Sequence, residues 1–114
     1  MPKPFTDSTA IAGDGKALAA RLDTEGYLFV RGLLPHEEVL DLRRQFLDLA
    51  AKAGWLRADR PLEAAAAEQS KACKDPEPGY IEHFKAMWKL EALHRMKHHP
   101  NLVGLFERIF GEPV

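Results

Sequence analysis

Apolar residues recur along this chain at spacings of three and four, the pattern of helices with one buried face. The clearest run is 36–53, where Val39, Leu42, Phe46, Leu49 and Ala53 form one stripe. Glu37 and Glu38 in its first turn and Lys52 in its last suit the helix dipole, and Gly54 ends it. Trp55 and Leu56 are expected to fold back against that stripe. Upstream, Asp14 is placed to cap a first helix in which Leu18 and Leu22 share a face, with Gly26 as the stop. A third, short helix is expected from Pro61 through the alanines at 64–67 to near Cys73, lying on the surface. Residues 74–79 hold two prolines, a glycine and charge, and read as a loop. Residues 80–99 read as a helix with a break near its middle, Ile81, Phe84, Trp88, Ala92 and Met96 forming one face. Pro100 opens the last helix, whose apolar stripe runs from Leu102 to Phe110, and Gly111 stops it.

One stretch departs from this period. Tyr27, Leu28, Phe29 and Val30 are consecutive, large and apolar, and they predict a short strand covered on both faces. Such a strand needs partners for its backbone groups, and nothing else before residue 110 reads as one. A second strand is expected to begin at Val114. The fold class is therefore mainly α with one or two short strands. Residues 1–13 carry two prolines and little periodicity, so they are expected to be a flexible lead-in with Phe5 and Ile11 as docking points.

Bulk properties narrow the field. The 114 residues suit one domain, and 46% hydrophobic with 29% charged residues is an ordinary globular balance. Sixteen basic residues against seventeen acidic ones leave a formal charge of -1, so nucleic acid and anionic membranes are not indicated as partners. Cys73 is the only cysteine, which excludes an internal disulfide and fits a reducing compartment. No apolar run reaches the roughly 18 residues that suggest a membrane span, and the N-terminus lacks the apolar core of a signal peptide, so the cytoplasm is the expected location.

Two stretches carry a resemblance. A helix closing on Glu25-Gly26-Tyr27, a hydrophobic strand, and Arg31-Gly32-Leu33-Leu34-Pro35 opening the next helix form the first. The second is His99-Pro100-Asn101-Leu102 through Phe110-Gly111-Glu112-Pro113-Val114. In this order and spacing they resemble the N-terminal region of phytanoyl-CoA dioxygenase-like proteins, which are Fe(II)- and 2-oxoglutarate-dependent oxygenases. The resemblance covers 14–114 and implies the helical part of a double-stranded β-helix (jelly-roll) enzyme, with the barrel missing from this chain. It implies that Fe(II) and 2-oxoglutarate serve the full-length relative, that the barrel of the same protein is the partner of these helices, and that a small organic molecule is hydroxylated. It also implies that residues 27–30 extend the barrel's major sheet. In some relatives a lysine from this region reaches the cosubstrate; His83 and Lys85 lie nearest that position. The family's metal triad of His-x-Asp and a later His is absent, so no catalytic residue, metal ligand or bound cofactor is expected for this chain alone.

Other constellations have their own readings. His36-Glu37-Glu38 matches His-x-Glu in letters but opens a helix. Glu91, His94 and His98 share a helical face and would suit a helical metal protein, although carboxylate-bridged di-iron bundles need such a motif twice. The basic run 95–99 suits a solvated face instead. Cys73, near Lys71 and Lys74, has the surroundings of a lowered thiol pKa but no histidine nearby in sequence to act as base. A self-contained helical module that docks an exposed apolar surface onto a protein partner is the alternative to an oxygenase scaffold.

Overall fold

The structure is a computed structural model describing Met1–Val114. It contains five α-helices: α1 (Gly15–Glu25), α2 (His36–Lys52), α3 (Pro78–Trp88), α4 (Glu91–Lys97) and α5 (Pro100–Phe110). Single 3-10 turns lie at Thr9–Ile11, Leu62–Ala64 and Gln69–Lys71. The chain is mainly helical and has no sheet. No helix is long and apolar enough to cross a membrane. Two compact units form, one from Met1–His36 with Lys97–Val114 and the other from Glu37–Met96.

The first unit is built on α1 packed against α5. Asp14 Oδ1 accepts from the Ala17 N–H at 3.1 Å, supplying the cap, and Gly26 ends α1 at φ 78°. Leu18 on α1 is fully buried and Leu105 on α5 is 7% exposed; these are the two buried apolar side chains of the whole chain. The helices meet closely because Gly15 has no side chain. A Cβ there would fall within 2.9 Å of the Arg108 carbonyl carbon and closer still to its oxygen. Arg108 Nε also donates to the Ala12 carbonyl at 2.8 Å, tying α5 to the turn before α1.

The N-terminal residues dock on the same unit. Phe5 meets Tyr27 edge-on with centroids 5.1 Å apart, and the Thr6 N–H donates to the Tyr27 hydroxyl at 2.8 Å. Ser8 is fully buried, and its N–H donates to the Phe29 carbonyl at 2.7 Å. Arg21 donates to the Asp7 carbonyl, and the Arg31 guanidinium lies 3.3 Å from the Asp7 carboxylate. Phe5 is thus a docking point, and Ile11 is half-buried.

Residues 27–30 do not form the predicted strand. Phe29 makes one isolated parallel bridge with Asp7 and nothing longer. A strand persists only when a neighbour pairs along its length, and here the neighbour turns away into the 3-10 turn at Thr9. Val114 likewise enters no strand.

In the second unit, α2 runs as predicted to Lys52, and Gly54 at φ 76° reverses the chain. None of its residues is fully buried, and Val39 remains 42% exposed. The predicted helix over 61–73 is replaced by two 3-10 turns. Ala65 sits in the left-handed region at φ 49°, and Leu56 bridges antiparallel to Ala67, with the Arg57 N–H on the Ala66 carbonyl at 2.8 Å and the Glu68 N–H on the Trp55 carbonyl at 2.7 Å. Alanines offer a helix little surface to bury, so pairing with the returning segment 55–57 prevails. The helix over 80–99 divides at Lys89 and Leu90 into α3 and α4, the expected break. His94 Nε2 lies 2.6 Å from the Trp88 carbonyl at the end of α3.

Candidate functional site

The chemistry in the second unit gathers where the turn after α2 meets α3. The Gly54 turn carries Trp55 back onto α3, where its ring lies 3.9 Å from that of His83, centroid to centroid. His83 is 8% exposed, and its ring makes no hydrogen bond within the protein. Neither ring nitrogen is sealed from solvent, since no fully buried side-chain polar atom lacks a partner. Burial holds the imidazole pKa below its usual value, so the ring is neutral at pH 7, with one N–H donor and one lone pair.

A cavity of about 410 Å³ opens beside this ring, lined by Leu49, Lys52, Trp55, Gly79, Glu82 and Ala86 among others. Lys52 and Glu82 stand on it without an ion-pair partner within 4.0 Å. The first turn of α3 faces it uncapped: Glu77 gives no side-chain cap, and neither the Gly79 nor the Tyr80 N–H has a backbone partner. A second cavity of about 260 Å³ is lined by Trp55, Glu68, Lys71, Cys73 and Tyr80, placing the half-buried thiol on an apolar wall.

Of the two residues singled out for cofactor contact, His83 is buried and Lys85 is exposed on the same helix. Two positions along an α-helix turn the side chain through about 200°. The two therefore point apart and do not converge on one ligand. Glu91 pairs with Arg95 at 3.6 Å and His94 with the Trp88 carbonyl, and no three His, Cys, Asp or Glu residues gather to hold a metal ion. Glu37 and Glu38 line a shallow groove with Asp41 and Arg95 rather than a ligand cage. The meeting of Trp55 with His83 has no sequence signal beyond the glycine stop before Trp55.

The most exposed chemistry is apolar. Tyr80, Phe84 and Trp88 stack along α3 at 6.3 and 5.9 Å, with Phe84 and Trp88 about half exposed. In the first unit, Phe106 and Phe110 stack on the outer face of α5, 42% and 61% exposed.

Compared with known proteins, the chain is 26% identical over 110 residues to a 1-deoxypentalenic acid 11-beta-hydroxylase of Streptomyces arenae. That match covers 96% of this chain but 36% of the hydroxylase, so the chain spans about a third of its relative. No family model matches, and no solved structure matches. The chain is thus similar, over almost all its length, to part of a hydroxylase.

Proposed function

We propose that this chain is the helical scaffold of a non-haem Fe(II)/2-oxoglutarate-dependent oxygenase that hydroxylates a small organic substrate. In this reading the reaction centre lies in a jelly-roll barrel outside these 114 residues, and the chain alone does not turn over. The observation that carries it is unburied surface. The chain exposes 8585 Å², whereas a folded monomer of its mass exposes about 6,300 Å² and two separate compact halves about 7,600 Å². The excess includes ordered aromatic faces on α3 and α5, which a covering layer would bury.

The backbone at 27–30 supports the same reading. Phe29 is engaged by the Asp7–Ser8 side, while Leu28 and Val30 make no backbone–backbone hydrogen bond. An apolar segment paired on one edge and open on the other is suited to receive a further strand. The donor set for iron is not among these residues, so no step of the reaction is assigned to them. Their part would be to brace the barrel.

The intact mass of the native protein tests the proposal. A mass well above 12.8 kDa, with peptides beyond Val114 containing His-x-Asp, is expected. A native mass of 12.8 kDa, or Fe(II)-dependent succinate formation by the purified 114-residue chain, would overturn it. In the first case the aromatic faces would favour the helical binding module.

A further inference from the structure

We infer that the cavity beside His83 binds a small apolar carboxylic acid, with the carboxylate at the open first turn of α3 and the hydrocarbon body against Trp55, Leu49 and Ala86. This goes beyond the scaffold reading and stands on the second unit alone.

Three residues that carry donors of different origin line the same space. The Gly79 N–H belongs to the uncapped end of an eleven-residue helix, where unpaired N–H groups and the helix dipole favour an anion. Gly79 is also open to approach, since a Cβ there would meet nothing within 4 Å. Lys52 adds an ammonium without an ion-pair partner. His83 adds a neutral ring more than nine-tenths buried whose nitrogens have no partner in the protein and remain open to solvent. A ligand oxygen accepting from the imidazole N–H would take the place of water there.

The remaining wall sets the rest of the ligand. Leu49, Ala53, Trp55 and Ala86 are apolar, and about 410 Å³ accommodates a short alkyl or alicyclic body. Glu82 stands on the rim and opposes an anion, which gives the assignment a sharp consequence. A carboxylate ligand binds more tightly when Glu82 is neutralised, whereas an amine or a zwitterion binds more weakly.

The test is a titration of the isotopically labelled 114-residue chain with hexanoate, with hexanol and hexylamine as matched probes, followed by amide NMR and Trp55 and Trp88 indole signals. Saturable shifts at Gly79, Tyr80 and His83 are expected with hexanoate and not with the other two. Lys52→Met should weaken hexanoate about fivefold, the size of one charge contact at a helix end, and Glu82→Gln should tighten it about two- to threefold. Both side chains are exposed, and unchanged amide spectra of the free variants confirm the fold. Equal binding of hexanol, preference for hexylamine, weaker binding by Glu82→Gln, or shifts confined to Phe84 and Trp88 would each overturn the inference. Because the readout is binding without turnover, its failure leaves the oxygenase scaffold reading intact.

Discussion

Gly15 offers the sharpest test of how the first unit is held together. On helix propensity alone, replacing a helical glycine by alanine is worth about 1 kcal/mol of added stability. The structure reverses the sign. The new Cβ would meet the Arg108 carbonyl, a backbone group of α5 that cannot swing aside as a side chain would. Ordinary van der Waals separation would require α1 and α5 to part by roughly 1 Å, which disturbs the Leu18–Leu105 region and the bond from Arg108 Nε to the Ala12 carbonyl. Overpacking of this kind costs about 1–3 kcal/mol. A Cβ this close to a backbone group puts the cost at the upper end, about 3 kcal/mol, so set against the propensity gain Gly15→Ala should destabilise by about 2 kcal/mol, or several degrees in melting temperature. Gly13→Ala is the control: its Cβ meets nothing within 4 Å, so it should stay within about 0.5 kcal/mol of the parent. Denaturant unfolding followed by far-UV circular dichroism measures both. Amide exchange should show the Gly15→Ala loss at α1 and α5 and not at α3. A Gly15→Ala protein as stable as the Gly13→Ala control would refute the close approach of the two helices.

Two further outcomes follow from local chemistry. Asp14→Ala removes the acceptor for the Ala17 N–H and should cost about 1 kcal/mol, read as faster amide exchange in the first turn of α1. His83 makes stability pH-dependent: burial lowers its folded pKa beneath the unfolded value of 6.5, so between the two the unfolded chain binds more protons. Stability should be intact above about pH 6.5 and fall as pH drops through the folded pKa, and His83→Gln should flatten that slope in denaturant midpoints at pH 7.5 and 5.

Helix ends were the most legible features because their causes are local. Asp14, Gly26, Pro100 and Gly111 mark boundaries through capping and left-handed backbone, and the structure places those residues in those roles. Where the deciding interaction lies far along the chain, local pattern misleads. Residues 61–73 have good helix formers, yet their backbone pairs with 55–57. The strand pattern at 27–30 is satisfied on one side by two residues of the lead-in, whose composition predicts no such partner. The site is half visible: His83 stands out as a candidate, but its ring contact with Trp55, 28 positions earlier in the sequence, does not, and Lys85 on the same helix turns to solvent. The open end of α3 has no sequence signal, because Pro78, a favourable opening residue, says nothing about whether the following N–H groups find partners.

The pairing of α1 with α5 also sets the order of assembly during synthesis. The second unit occupies a continuous stretch, Glu37–Met96, so all of its contacts become available as it leaves the ribosome. The first unit is interrupted by that stretch, and α1 waits for α5. Closing so long a loop carries an entropic penalty that grows slowly with length, and folding the interior stretch first shortens the effective loop. Until about residue 110 has emerged, α1 has no α5 to cover it. The nascent chain is therefore exposed to mispairing at the apolar face of α1, and it stays so until α5 arrives.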